Sequence, residues 1–188
     1  LFIYIMKFQI ISDIHLEYYN TLPEIEYFFD ISAPNLILAG DICYYKHPNF
    51  ILFFDKISKL YDNILFVPGN HDYYAHDNIP ECGFDQIDFT MKENLKPYKN
   101  IHFIQNSIFE FENNIILGNT LWCNTNRTIM DDDVKIITND FYIKYKHKFM
   151  PSFKSIKKKN TFQYNWLKNT LKAIQNTRKN IIVVTHYL

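Results

Sequence analysis

Side chains that can bind a divalent metal ion or move a proton follow four short, largely apolar runs of the sequence. They are Asp13, His15, Asp41, Asn70, His71, Asp72 and His186. Carboxylate, imidazole and amide oxygen together suit a borderline divalent ion such as Mn, Fe or Zn, and Mg or Ni are further candidates. The set contains no thiolate, which argues against a structural zinc site. These residue types therefore predict a metal centre.

The four runs that precede these residues are predicted to be β-strands. They cover residues 8–11, 36–39, 64–67 and 181–184. Each has strand length and lacks a polar alternation, so each is expected to be buried on both faces. Helical patterns between the first three predict parallel pairing through right-handed crossovers. Because ligands of open α/β sheets bind beyond the carboxyl ends of the strands, the candidate residues are expected at one edge.

The apolar pattern also predicts the helices and a second sheet. Helices are expected at 22–30, 48–62, 84–96 and 160–177. The inward stripe of the second helix is predicted to be Phe50, Phe53, Phe54, Ile57 and Leu60, and that of the last helix Phe162, Trp166, Leu167, Leu171 and Ile174. Three further strands, 101–104, 108–112 and 114–118, are expected to form a second, more antiparallel sheet.

The spacing of the candidate residues suggests how they share metal ions. Asp13 and His15 would point the same way from an extended segment, so both can reach one ion. Asp41 follows the neighbouring strand and can bridge two ions, while Asn70 and His186 can hold the second. Two ions roughly 3.5–4 Å apart clamp a phosphoryl group and generate hydroxide at neutral pH. This arrangement predicts phosphoester hydrolysis.

Composition limits the remaining classes of function. The chain has 188 residues, which suits one domain, and its formal net charge of zero gives no push toward nucleic acid or anionic membranes. No apolar run approaches the ~20 residues of a membrane span. The three cysteines form no CxxC pair, so they are expected to be reduced thiols in a cytoplasmic protein. Residues 6–188 are expected to form the domain, and residues 1–5 to lie outside the native start.

Four sequence blocks resemble a known family. "SDIHLE", "LAGDI", "VPGNHDYY" and "VVTH" occur in order and resemble the first four blocks of the calcineurin-like metallophosphoesterase superfamily, in its small single-domain form. The resemblance implies an α/β (α+β) fold, a four-layer α/β/β/α sandwich of two mixed sheets. It also implies that His71 is not a metal ligand but stabilises the phosphoryl oxygen or protonates the leaving group. Asp72 is expected to orient His71.

One block of that family has no counterpart in this sequence. The family carries a fifth block, Gly-His-x-His, whose histidines complete the two metal sites. The domain is therefore expected to be incomplete at its C-terminus, with its last strands missing. Weak metal binding and low activity are expected for the chain.

The sequence favours one function and leaves two alternatives open. The favoured function is a dinuclear-metal phosphoesterase that uses metal-activated hydroxide on a phosphomonoester or phosphodiester, with a phosphorylated small molecule or nucleotide as substrate. The alternatives are a truncated, non-catalytic relic or metal-binding scaffold, and a nuclease or nucleic-acid processing enzyme. Only the segment 144–160, with seven lysines and no acid, supports the nuclease, and a solvated loop is the favoured interpretation of it. The acidic run 131–133 is expected to be an exposed turn.

Overall fold

The computed structural model describes residues 7–74, 83–123 and 153–187. The expected non-native start, the acidic run 131–133 and residues 144–152 of the lysine-rich segment lie outside the described residues. Among the described residues, no helix combines the length and the apolar composition that a membrane crossing requires.

The first sheet is parallel throughout the described strands. It has the order β1-β2-β3-β4, with β1 at Phe8–Ile11, β2 at Asn35–Ala39, β3 at Asn63–Val67 and β4 at Ile101–Phe103. Helix α1, Pro48–Ile57, connects β2 to β3, and helix α2, Phe84–Leu95, precedes β4. All four strands lie at predicted runs to within one residue at either end, and both helices lie within the predicted segments.

The position of β4 differs from the prediction. The sequence suggested that residues 101–104 belong to the second sheet, whereas β4 pairs parallel to β3 in the first. The physical reason is α2, which carries the chain back across the sheet so that the next strand runs in the same direction as β3.

The second sheet is mixed. Its order is β5-β6-β7, with β5 at Ser107–Phe111, β6 at Asn114–Asn119 and β7 at Asn180–Thr185. The β5–β6 hairpin is antiparallel, while β7 pairs parallel to β6 after helix α3, Phe153–Ile174. The fold class expected from the resemblance, α/β with two sheets, is confirmed. Among the described strands, the first sheet is parallel and only the second is mixed.

Two cores hold the layers together. Leu36, Leu38, Ile64 and Phe66 point from the first sheet toward α1 and α2, where they meet Phe50, Phe53, Phe54 and Met91. The alternating residues of the same strands, Ile37, Leu65 and Val67, point the other way and pack against Ile116 and Val184 of the second sheet. Because both faces of β2 and β3 are covered, their sequences are continuously apolar.

The outer strands are not buried on both faces, which corrects the prediction for residues 8–11 and 181–184. Ile10 of β1 is 66% exposed, and Ile181 and Val183 of β7 are 38% and 43% exposed. Both strands are outermost in their sheets among the described strands. An apolar run in the sequence does not indicate whether the strand lies in the middle or at the edge of its sheet.

Three expectations about helices are also wrong. The segment 22–30 contains only the 3-10 turn Ile25–Tyr27, and the Gln9 side chain binds the backbone at Asp30 and Ser32 just beyond it. Leu60 lies beyond the end of α1 and is 41% exposed. Phe162 of α3 is 57% exposed.

Helix α3 begins earlier than predicted and takes in the end of the lysine-rich segment. The expected solvated loop is therefore wrong from residue 153 onward, because Lys159 is buried and bonds the carboxylates of Asp85 and Asp88 at 2.9 Å each. The inward face continues toward the N-terminus of the helix with the polar residues Lys159, Asn160 and Gln163, which the apolar pattern did not include. Four residues of the predicted stripe, Trp166, Leu167, Leu171 and Ile174, are half-buried, so Phe162 is its exception.

Candidate metal centre

The turns after β1 and β2 are built from residues with left-handed backbone conformations. Asp13, His15 and Asp41 have φ of 57°, 48° and 56°, and Gly40 has φ of 92°. The two turns are held together, since Asp13 N–H donates to Gly40 O at 3.0 Å and His15 N–H donates to Asp41 O at 3.1 Å. Non-glycine residues in this conformation cost free energy and concentrate at functional sites.

Asp41 lies at the centre of the site and is shared by two groups of potential ligands. One group is Asp13, Asp41 and His186, and the other is His15, Asp41 and His71, with all ligand atoms of a group within 4.8 Å of one another. The structure thus brings together all four predicted strand ends. It groups Asp13 with His186 and not with His15, because both residues adopt left-handed conformations and the period-two alternation of an extended strand does not apply to them.

Asn70 and His186 meet across the two sheets. His186 Nε2 lies 3.1 Å from Asn70 Oδ1 and 3.4 Å from Asp41 Oδ1, while its Nδ1 lies 3.0 Å from Ala39 O. The Nδ1 contact to a backbone carbonyl fixes Nδ1 as the protonated nitrogen of the neutral ring. Nε2 is then the nitrogen that faces the oxygen ligands.

Asp72 does not orient His71, which corrects the prediction. Its fully buried carboxylate accepts four backbone N–H groups, those of Asp41, Ile42, Cys43 and Gly69, at 2.7–3.0 Å. Burial and the neighbouring Asp41 carboxylate raise the pKa of Asp72, while the amide donors act in the opposite direction. Asp72 instead ties the loop after β2 to the loop after β3.

The partner of the His71 ring is Glu17, a residue that the sequence analysis did not single out. Glu17 Oε1 lies 3.1 Å from His71 Nδ1 and 3.0 Å from His15 Nδ1. The His71 backbone N–H donates to Asp41 Oδ1 at 2.8 Å. Glu17 stands in "SDIHLE" two residues after His15, and this proximity to a candidate ligand was the only signal in the sequence.

The charged groups of the site shift the pKa values of their neighbours. Burial lowers the pKa of His186, but hydrogen bonding to Asp41 and the charge of that carboxylate outweigh burial and raise it to about 9. The hydrogen bond to Glu17 raises the pKa of His15. Burial raises the pKa of Glu17, but the hydrogen bonds from His15 and His71 outweigh burial and lower it to about 2.

The residues present fit divalent metal ions. Asp41 and Asn70 contribute oxygen atoms, and His186 contributes a nitrogen atom. His186 Nε2 lies 3.1 Å from Asn70 Oδ1 and 3.4 Å from Asp41 Oδ1, so one ion of this class can contact all three side chains. The two glycines before these ligands allow the close approach, since a Cβ at Gly40 would collide with the His186 ring and a Cβ at Gly69 with the Asp41 carboxylate.

The residues around the site are mainly structural. Tyr73 and Tyr74 are buried, with exposed fractions of 6% and 3%. The Tyr74 hydroxyl accepts a hydrogen bond from Asn70 Nδ2 at 2.9 Å, so Tyr74 helps to orient Asn70. Trp122 and Cys43 are fully buried in the core.

The fold and the site together define an α/β protein of two packed sheets with a histidine–carboxylate centre at the strand ends. A sequence model of the calcineurin-like phosphoesterase family matches residues 6–188, and the chain belongs to that family. It is 32% identical over 189 aligned positions to protein L509 of Acanthamoeba polyphaga mimivirus, covering 94% of this chain. The chain spans 66% of the length of that relative.

A solved structure supports the fold. The phosphopantetheinyl hydrolase PptH from Mycobacterium tuberculosis superposes with a TM-score of 0.63 over 96% of this chain and 68% of that protein, at 15% sequence identity.

Proposed function

We propose that this chain is a phosphoesterase that hydrolyses a phosphomonoester or phosphodiester at a centre of two divalent metal ions. The observation that carries the proposal is Asp41, whose carboxylate belongs to both groups of potential ligands. A carboxylate shared between two such groups is the ligand that a dinuclear centre needs. Family membership supports phosphoester hydrolysis in general.

The ligands in this proposal are Asp13, His15, Asp41, Asn70 and His186. Bound there, the ions would supply Lewis-acid chemistry by lowering the pKa of water and neutralising phosphate charge. Mn, Fe or Zn suits the mixture of oxygen and nitrogen ligands best.

His71 is proposed to act on the leaving group. Its Nδ1 contacts Glu17, so Nε2 is directed away from Glu17, and the bond from its backbone N–H to Asp41 fixes the position of the main chain. A protonated His71 can donate the Nε2 proton to the departing oxygen while Nδ1 keeps its own proton. A phosphorylated small molecule or nucleotide as substrate and a cytoplasmic location remain predictions from the sequence.

Substitution of Asp41 tests the proposal. Asp41→Asn removes the shared charge but keeps an oxygen that can accept the His71 amide, so the fold should be retained. Elemental analysis after dialysis against Mn²⁺ should show loss of bound metal, and hydrolysis of bis-p-nitrophenyl phosphate should fall more than about 100-fold. Asp55→Asn, at an exposed carboxylate on α1, is the matched control and should change neither. An Asp41→Asn protein that retains two ions and full turnover would refute the proposal.

A further inference from the structure

Glu17 occupies an unusual position between two histidines. Its side chain is 0% exposed, and a single oxygen, Oε1, lies 3.0 Å from His15 Nδ1 and 3.1 Å from His71 Nδ1. The second oxygen, Oε2, is buried and has no hydrogen-bond partner among the described residues. Burying a carboxylate is costly unless strong partners compensate, so the two imidazoles carry that compensation.

The two rings are fixed relative to each other by this shared contact. Their centroids are 4.4 Å apart and their planes are inclined by 79°. An ionised carboxylate only accepts hydrogen bonds, so both Nδ1 atoms must be donors. The Nε2 atoms of both rings are then directed away from Glu17, and that of His15 lies 3.8 Å from Asp41 Oδ2.

We propose that Glu17 is a positioning residue that holds two histidines of different function through one oxygen. It presents the Nε2 lone pair of His15 to a metal ion, and it keeps the His71 ring in the orientation that delivers the Nε2 proton to the leaving oxygen. The proton on each Nδ1 stays in place in both roles. This inference rests on the proposed function for the role of His71 and for the metal at His15.

Nitrogen-15 NMR of the histidine rings tests the inference without any activity measurement. In the wild-type protein, the neutral rings of His15 and His71 should both show the proton on Nδ1. In Glu17→Met, which keeps the volume but removes the acceptor, both rings should shift toward a mixture of tautomers. Glu17→Gln retains an acceptor oxygen and should preserve the wild-type tautomers. A wild-type His71 or His15 with its proton on Nε2 would overturn the inference, whether or not any variant folds.

Metal affinity and turnover separate the two roles. Competition with a chromophoric chelator should show Mn²⁺ affinity lowered about 10–100-fold in Glu17→Met. At saturating Mn²⁺, turnover of an alkyl phosphodiester should still be reduced, and more so than that of a p-nitrophenyl diester, whose leaving group needs no proton. Glu24→Gln, at an exposed glutamate of the following segment, is the matched control and should leave affinity and turnover unchanged.

The outcomes distinguish this inference from the proposed function. Wild-type turnover restored at saturating metal in Glu17→Met would overturn the role at His71, and unchanged affinity would overturn the role at His15. A wild-type protein that hydrolyses neither ester but has both tautomers as stated would instead overturn the proposed function, while Glu17 would remain the residue that orients both rings.

Discussion

His71 is the residue whose role most needs a direct test, because the geometry alone permits two roles. Its ring nitrogen falls in one of the two groups of potential ligands, together with His15 and Asp41. The family resemblance assigns it to the phosphoryl oxygen or the leaving group instead. A metal ligand and a proton donor differ in what their removal does to metal content.

We expect His71→Ala to lower turnover while metal content is retained. General acid catalysis contributes typically 10²–10⁴-fold, so the loss should be about 100-fold or more with an alkyl leaving group. Elemental analysis and steady-state kinetics on the same preparation measure both quantities. His102→Ala, at a histidine of β4 that contacts Phe109 outside the site, serves as the control. If His71→Ala loses its metal, the role proposed for His71 is wrong and it is a ligand.

Asp72 supports the site through the backbone. Each of its oxygens accepts two amide protons, and the four amides come from both loops that carry Asp41 and Asn70. Its position next to His71 in "GNHD" suggested a contact with the ring. The 3-10 turn His71–Tyr73 instead directs its carboxylate into the protein.

We predict that Asp72→Asn destabilises the protein by about 3 kcal/mol, because an amide NH₂ would face two backbone N–H groups and leave both unsatisfied. Urea denaturation measures this loss. Asp62→Asn, at an exposed aspartate in the turn before β3, should change the unfolding free energy by less than about 0.5 kcal/mol. Equal free energies of unfolding for Asp72→Asn and wild type would show that the four backbone N–H groups do not need the Asp72 carboxylate.

The candidate ligands could be predicted because residue type limits which side chains bind metals, and because strand ends place them together. The roles of Glu17 and Asp72 could not, since they depend on which way a buried carboxylate points. The direction of Glu17 follows from the left-handed backbone at His15, and that of Asp72 follows from the 3-10 turn His71–Tyr73. Local sequence does not indicate either direction.

At the level of elements, the secondary-structure prediction succeeded for strands whose two faces pack into different cores. The strands β2 and β3 supply alternate residues to both cores, so their apolar runs have one interpretation. The prediction missed contacts that an element makes with a residue distant in the sequence. Helix α3 directs polar residues inward because Trp122 lies against it: Trp122 N–H donates to Gln163 Oε1 at 3.1 Å and its carbonyl accepts from Asn160 Nδ2.

The link between α3 and α2 is a buried ion pair. Lys159 is 8% exposed at its side chain and Asp88 17%, and Asp88 also accepts a hydrogen bond from the Tyr73 hydroxyl. Tyr73 lies directly after His71 and Asp72. The ion pair therefore connects α3 to the loop that carries the site.

We expect Lys159→Met to destabilise the protein by about 3 kcal/mol, since it leaves the Asp88 carboxylate buried without its cation. Chemical denaturation gives the value, and adding Asp88→Asn to Lys159→Met should recover part of it. Lys158→Met, at the exposed neighbouring residue, should be nearly neutral. A loss as small as that of Lys158→Met would mean that the pair contributes nothing to the link between the helices.

On the scale of the whole molecule, the site exists because the two sheets pack against each other. Three of the strands whose ends carry site residues belong to the first sheet, and the strand before His186 belongs to the second. The core between the sheets, which contains Val184 two residues before His186, sets the distance at which that imidazole meets Ala39 and Asn70. Folding and the formation of the site are thus linked, and the stability of the protein should report on the charges of the site.

The ionisation of His186 and that of Glu17 change the stability of the folded protein with pH in opposite directions. Folding raises the pKa of His186 from 6.5 to about 9, so its stabilisation is complete below pH 6.5 and is lost as the pH rises through 9. Folding lowers the pKa of Glu17 from 4.5 to about 2, so its stabilisation is complete above pH 4.5 and is lost as the pH falls through 2. The raised pKa values of His15 and Asp72 act in the same direction as that of His186.

We therefore predict that the protein in EDTA is most stable at mildly acidic pH, and that its free energy of unfolding falls by at least about 2–3 kcal/mol toward pH 9. His186→Gln should make the alkaline decline smaller. Mn²⁺ should counteract that decline, because an imidazole must lose its proton to bind metal and the ion binds only the folded site. Urea titrations at pH 3, 5.5, 7 and 9, with EDTA and with Mn²⁺, measure these effects. An alkaline decline of equal size in wild type and His186→Gln would show that His186 is not its source.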